Sequence, residues 1–250
     1  MSFTSLSKVN DVAVLTLERG KVNALNEPFV DELSQAFEGL EQNDGVKAVV
    51  LTGRGPFFSF GFDIPEFLGY GQDDFRRFLG KFTRLYLNMF LFPKPLQAAL
   101  NGHTIAGGCM LALTCDERFM VPGKAKISLN EIRFGSTVFA GSVEMLRFCC
   151  GQKNAQAVLF SGDMFAAEEA ALLGLVDRVV PEDRLLEESI KRAAELGKQP
   201  APAFRNIKRL LRQPVADEIA AREEQSLREF IEIWYSDETR AFLKGITIRE

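Results

Sequence analysis

The apolar positions of this chain change period along its length. Ser2–Ser7 and Val12–Leu17 are short β-branched runs separated by Asn10-Asp11, which predicts a hairpin. After the loop Arg19–Leu25, Asn26 is a helix N-cap with Pro28 just inside, and Phe29, Val30, Leu33, Phe37 and Leu40 form a helical stripe. Val46–Thr52 reads as a buried strand broken by Gly53-Arg54-Gly55-Pro56, and Asp74–Phe92 as a helix stopped by Pro93 and Pro95. Pro95–Leu100 is a second buried strand. Phe119–Val121 and Lys126–Ser128 predict short strands around Pro122-Gly123. Val143–Cys150, Asn154–Phe160 and Ala166–Leu173 are helical runs, and Val176–Val180 returns as a strand. From Pro181 onward the pattern is helical, with breaks expected at Pro200, Pro202 and Pro214. Strands alternating with helices, then helices alone, predict an α/β layer with a helical C-terminal cap.

The stretch Asn101–Glu131 carries the candidate chemistry. The strand Pro95–Leu100 leads into Asn101-Gly102 and then Ala106-Gly107-Gly108, followed by a short helix through Met110, Leu111, Leu113 and Cys115. A helix N-terminus presents unpaired N–H groups and a partial positive charge, and bare backbone lets an oxygen approach them. The stretch ends on Leu129-Asn130-Glu131, a carboxylate between apolar neighbours. An anion hole beside a nearly isolated acid predicts chemistry at a carbonyl. A carboxylate among Leu129, Ile132 and Phe134 should have a raised pKa, suiting a proton shuttle near neutral pH.

Composition narrows the classes. The chain has 250 residues, 46% apolar, with net charge −4, which argues against a nucleic-acid surface. No apolar run is long enough to span a bilayer, and the N-terminus has no signal pattern, so a cytoplasmic protein is expected. The four cysteines form no C-x-x-C pair and His103 is the only histidine, which disfavours a zinc site. There is no G-x-S-x-G for a serine nucleophile. The 22 phenylalanines, against three tyrosines and one tryptophan, suit a core, an oligomer contact or an apolar ligand tunnel.

Five segments together resemble the crotonases, the enoyl-CoA hydratase/isomerase superfamily. They are Lys21–Leu25, Phe57–Ile64, Asn101-Gly102 with Ala106–Cys109, Ala112–Asp116, and Ala167–Val180 ending in Gly174-Leu175-Val176. The resemblance implies an α/β spiral of ββα units over residues 1–195, and a helical region over residues 196–250 that builds trimers, often paired into hexamers. It implies an acyl-CoA substrate whose thioester oxygen sits between the N–H groups of Phe60 and Gly107. CoA enters as part of the substrate, with no other cofactor and no metal. Val22, Ala24, Phe58, Gly61, Phe62, Asp63, Met110 and Phe134 are the implied substrate- or CoA-binding positions.

One departure matters. Hydratases of this family hold water between two glutamates; here Met110 stands at the first position and Glu131 at the second. A thioether cannot exchange a proton. The sequence therefore resembles the branch that moves a double bond from 3-enoyl-CoA to 2-enoyl-CoA with one glutamate. A hydratase using another second acid, such as Glu144, and a non-catalytic acyl-CoA-binding protein are the alternatives.

Other positions have plainer readings. Glu144 is expected on a solvated face, and Lys208, Arg209 and Arg212 on a charged helix face rather than on CoA phosphates. Asp63 suits a turn cap, and His103 a partly buried structural role. Leu227, Phe230, Ile231 and Trp234 form an apolar stripe expected at an oligomer contact.

Overall fold

In the computed structural model, which describes residues 2–248, the N-terminal hairpin consists of β1 (Thr4–Val9) and β2 (Val12–Leu17). The strands are antiparallel, with Leu6 opposite Leu15 and Val9 opposite Val12. Asn10 in the turn takes φ 55°, a left-handed conformation that asparagine tolerates. β3 (Ala24–Leu25) leads into α1 (Glu27–Gln42), whose first turn is capped by the Asn26 side chain accepting from the Phe29 N–H at 3.1 Å.

The chain then runs β4 (Ala48–Gly53), β5 (Phe57–Ser59), β6 (Gly61–Phe62), α2 (Ile64–Phe67) and α3 (Gln72–Phe90). Next come β7 (Leu96–Leu100), β8 (His103–Ile105) and α4 (Gly107–Leu113), then β9 (Glu117–Met120) and β10 (Ile127–Ser128). A 3-10 turn at Glu131–Phe134 precedes α5 (Ala140–Ser161), α6 (Ala167–Leu173) and β11 (Arg178–Val179). The helices α7 (Leu185–Gly197), α8 (Ala201–Trp234) and α9 (Asp237–Leu243) finish the described chain.

Successive passes each place one strand in a large sheet and one in a small sheet. The large sheet has the order β1-β2-β4-β7-β9-β11, parallel from β2 onward. The small sheets are β10-β8-β5 and β3-β6, also parallel. This is the expected spiral of ββα units. Strands such as β4 and β7 are buried along their length because helices cover them, which explains their unbroken apolar runs. The expected boundary at 195/196 falls inside α7.

Three features of the C-terminal half differ from the sequence reading. Pro214 does not break the chain: α8 continues through it from Ala201 to Trp234. A helix-interior proline costs about 3 kcal/mol, and here α8 packs along both α3 and α5, which holds it together. The two helical runs between Val143 and Phe160 merge into α5, kinked at Gly151 with φ 74°. The apolar stripe of α8 is not an outward face. Phe230, Ile231 and Trp234 are buried within the chain itself, Trp234 with its ring 4.7 Å from Phe75. The most exposed large apolar side chains of α8 are Ile207, Leu210 and Leu211, about five turns nearer its start than Phe230.

Lys208 and Arg212 also depart from expectation. Both are about 5% exposed and reach Asp116, at 2.8 and 2.9 Å. Arg212 further donates to the carbonyls of Phe90, Thr114 and Cys115, the ends of α3 and α4. They are neither a solvated face nor free for phosphate: they pin α8 to the core. Burial pulls the Lys208 ammonium down to about 8. Arg209, between them, is exposed and donates to its neighbour Asn206.

Candidate active site

The small sheets and α4 meet at a narrow seam. Gly108 fits there only as glycine: a Cβ would lie 2.5 Å from the Ser59 carbonyl oxygen. Gly61 takes φ +94°, and its Cβ would lie 3.0 Å from the Gly107 nitrogen. The backbones of β6 and α4 therefore approach more closely than side chains permit. Ala106, just before α4, is held at φ 49° and ψ −118°, with its N–H donating to the Ser128 carbonyl at 2.8 Å. That conformation ends β8 and turns the next N–H, that of Gly107, out of the sheet. As the first residue of α4, Gly107 has no intrahelical acceptor for its N–H.

The expected second donor is corrected by the geometry. The Phe60 N–H donates to the Val22 carbonyl at 2.9 Å, so it is spent within the backbone. Two residues later the arrangement differs. The register pairs Leu25 with Phe62, yet the bond to the Leu25 carbonyl comes from the Asp63 N–H, at 2.9 Å. In a parallel ladder this turns the N–H of Phe62 to the opposite edge of β6, where α4 packs.

Glu131 opens the 3-10 turn that follows β10. Ala106 bonds to Ser128, so β10 carries the turn to the same seam. Glu131 is 9% exposed, and its Oε2 has no hydrogen-bond partner. Burial pushes its carboxyl up to about 7. Gly135, at φ 72°, closes the turn by donating to the Glu131 and Ile132 carbonyls, and Ser136 also donates to the Glu131 carbonyl.

These groups line one cavity of about 290 Å³. Gly107, Met110, Glu131, Phe62 and Phe134 are in its wall, as are Phe57, Phe60 and His103. Phe139, Phe230, Trp234 and Ile246 complete it from α5, α8 and the C-terminal end. The sequence reading missed these last contributors: the α8 stripe was visible, but its partner was not. His103 is half-buried against the Phe57 ring, centroids 4.9 Å apart.

Other expected positions fall outside the wall. Phe58 is fully buried in the core and cannot touch a ligand in this cavity, correcting its expected binding role. Val22 lies in the turn before β3 and Ala24 on β3; the Val22 carbonyl takes the Phe60 N–H and the Ala24 carbonyl takes Arg19 at 2.7 Å. Gly61 shapes the seam. Asp63 caps α2 through the Glu66 N–H and pairs with Arg19 at 2.8 Å. Glu144 is only 7% exposed, not solvated, and it does not reach the cavity: Arg147 and Arg222 hold it at 3.0 and 2.6 Å. Within the wall, Met110 accepts a hydrogen bond from the Ser142 hydroxyl at its sulfur, at 2.9 Å. Among the described residues no cluster of His, Cys, Asp and Glu could hold a metal ion, and no helix is long and apolar enough to cross a membrane.

The sequence profile of the enoyl-CoA hydratase/isomerase family matches residues 7–248. The chain belongs to that family. It is 31% identical over 221 residues to the rat mitochondrial enoyl-CoA delta isomerase 1, covering 88% of this chain and 76% of that one. A putative enoyl-CoA hydratase of Thermus thermophilus is 36% identical over 192 residues, covering 76% and 75%. The crystal structure of human mitochondrial delta3-delta2-enoyl-CoA isomerase superposes with a TM-score of 0.92 at 27% identity, covering 97% and 96% of the two chains. Relatives in this enoyl-CoA hydratase/isomerase family thus carry names from both reactions, and the distinction rests on the site of this member.

Proposed function

We propose that this family member isomerises 3-enoyl-CoA to 2-enoyl-CoA with Glu131 as its only proton carrier. The observation that carries the reading is the cavity's inventory: among the described residues Glu131 is the one carboxylate in its wall, and the thioether Met110 stands in the same wall. Glu131 takes a proton from C2 of the bound thioester. The oxygen of the resulting dienolate lies between the N–H groups of Gly107 and Phe62, which replaces Phe60 in this role. Such donors act where charge develops in the transition state and are worth roughly 10²–10³ in rate each. The protonated Glu131 then delivers the proton to C4. Both transfers lie on one face of a planar dienolate, so one carboxylate serves both. A carboxyl poised near 7 gives and takes protons at neutral pH with little cost either way.

The hydratase alternative needs a second acid in the cavity. Glu144 is held by two arginines outside it, which removes its support. CoA is part of the substrate, and no separate cofactor enters this scheme. For assembly, the exposed Ile207, Leu210 and Leu211 of α8 support a homo-oligomer better than the stripe nearer the C-terminus.

The test is incubation with 3-enoyl-CoA and, separately, 2-enoyl-CoA, with products resolved by mass. Interconversion without mass change is expected. Rapid addition of one water to 2-enoyl-CoA would overturn the reading.

A further inference from the structure

His103 stands in the cavity wall with its imidazole unused by the fold. Its backbone N–H donates to the Pro56 carbonyl at 3.1 Å, and its ring leans on Phe57. Neither ring nitrogen has a hydrogen-bond partner among the described residues. The side chain is only partly buried, and both nitrogens keep accessible surface, unlike the sealed polar atoms of Asn130, Ser136 and Trp234 in the same wall. A histidine kept for structure would be tied by one of those nitrogens. This one is open to whatever fills the cavity.

β8 sets where the imidazole lies along the cavity. Side chains alternate along a strand. His103 and Ile105 therefore share the face that lines the cavity, while Thr104 is fully buried away from it. Gly107, which holds the thioester oxygen in the proposed reaction, comes four residues after His103. At about 3.3 Å per residue, the imidazole is up to roughly 13 Å from the thioester carbonyl. The two ends of the cavity also differ. Phe139, Phe230 and Trp234 close one end at 2–3% exposure, whereas His103, Phe57 and Phe60 are partly exposed at the other. The closed, apolar end suits the acyl chain. A volume of about 290 Å³ leaves no room for CoA as well, so its arm leaves past His103. An extended arm covers roughly 3.5 Å for every three bonds. The outer amide of the pantetheine arm and the hydroxyl beside it are roughly nine to eleven bonds from the carbonyl, which brings them level with His103. The inner amide reaches only about half as far.

The protonation state fits the same groups. The β8–β10 register pairs Thr104 with Ile127 and so brings Lys126 alongside His103. Burial first, and then the Lys126 charge, hold the imidazole below its ordinary pKa, so it is neutral at pH 7. A neutral imidazole carries one donor and one acceptor. That matches an amide with a neighbouring hydroxyl, and it offers no charge to a phosphate. We propose that His103 is a substrate-binding residue that hydrogen-bonds the outer amide and hydroxyl of the pantetheine arm. The contact sets how far the thioester reaches toward Gly107 and Glu131. The inference rests on the reading of the cavity as the acyl site of a CoA-thioester enzyme.

The experiment uses saturated thioesters, which bind but cannot isomerise, so its outcome is separable from that of the turnover assay. Hexanoyl-CoA, hexanoylpantetheine and the hexanoyl thioester of N-acetylcysteamine are compared. The last keeps the inner amide and lacks the outer one. Kd is measured by calorimetry, directly for the CoA thioester and by its displacement of the two shorter ones. The proteins are the native chain and His103→Phe, which keeps a ring against Phe57 and removes both nitrogens. His103→Leu replaces it should that variant fail to fold by thermal melting. The variant is expected to bind the CoA and pantetheine thioesters roughly three- to tenfold more weakly, the worth of one net hydrogen bond, and the N-acetylcysteamine thioester as the native protein does. His103→Gln, which retains a donor and an acceptor, should lose less. An equal loss for all three thioesters would place His103 at the acyl group or in the fold and overturn the proposal. A loss confined to the CoA thioester would assign it to the phosphates, and no loss at all would remove it from binding; either result overturns the proposal too. Failure of the native protein to bind hexanoyl-CoA would overturn it together with the acyl-CoA reading beneath it.

Discussion

The Ser142 hydroxyl donates to the Met110 sulfur at 2.9 Å, and both residues are nearly inaccessible. Sulfur is a weak acceptor, so a buried hydroxyl has been left with a poor partner at the position where the resemblance to hydratases leads one to expect a carboxylate. Met110→Glu would give Ser142 a strong acceptor and put a second acid across from Glu131. The variant should lose a few kcal/mol of stability, because it buries a charge. If it folds, it should gain slow hydration of 2-enoyl-CoA, read as addition of one water by mass. Ser142→Ala in that background should weaken the gain. A folded Met110→Glu protein with no trace of hydration would mean that the missing carboxylate is not what separates the two reactions here.

Glu131→Gln retains size and hydrogen bonding but cannot carry the proton. Isomerase turnover should fall by roughly 10²–10⁴. The Kd of a saturated acyl-CoA, measured by calorimetry, should change little. Comparable losses in turnover and binding would instead mark Glu131 as a binding residue.

The same carboxyl couples activity and stability to pH in opposite senses. Its pKa rises on folding from an ordinary value of 4.5 to about 7, so the folded state holds the proton more tightly than the unfolded state. Stability from this group is full below pH 4.5 and is lost as pH rises toward about 7, where the acid ionises inside the wall. At 1.36 kcal/mol per unit, that loss is about 3 kcal/mol at pH 8. Glu131→Gln should therefore melt higher than the native protein at pH 8 and no higher at pH 4.5. Turnover should run the other way, rising through an acid limb near pH 7 as the base becomes available. An acid limb near pH 4.5 would show that Glu131 is solvated in the working enzyme.

Gly107→Pro deletes the N–H proposed to hold the thioester oxygen. Turnover should drop by at least ~10²-fold, as for other oxyanion-donor losses. Because proline also stiffens the chain, thermal melting must accompany the assay. A folded variant with near-normal turnover would exclude this donor.

Thr239 ties α9 to the turn that carries Glu131. Its buried hydroxyl donates to the Gly135 carbonyl at 2.6 Å. Arg240, next along, donates to the Leu68 carbonyl at 2.8 Å, so α9 links the turn at Glu131 to the end of α2. Thr239→Val keeps the shape and loses the bond. Loosening the turn should admit water to Glu131 and lower its pKa, moving the acid limb of turnover down by about one unit, with kcat affected more than KM. Thr239→Ser should restore both. An unmoved acid limb in folded Thr239→Val would reduce Thr239 to a structural contact.

Local rules made much of the fold legible in the chain. Periodicity and turn residues gave the β1–β2 hairpin, the Asn26-capped α1, and the passes of strand, bare backbone and helix around Gly107. These features depend on neighbours in sequence, so a sequence can carry them. The acid at Glu131 was legible for the same reason, since its apolar flanks forecast the desolvation that raises its pKa.

What lay beyond the sequence depended on partners far along the chain. The Phe60 N–H is taken by Val22, and only the β3–β6 register reveals that the next free edge belongs to Phe62. Lys208 and Arg212 look like a charged surface until Asp116 and the ends of α3 and α4 arrive to bury them. Glu144 looks solvated until Arg147 and Arg222 enclose it. The stripe Phe230, Ile231 and Trp234 announces a buried face but not its partner. Periodicity records which side of a helix avoids water, whereas the surface that covers it is set by tertiary packing, and here that surface belongs to the same chain, Phe75 of α3 among it.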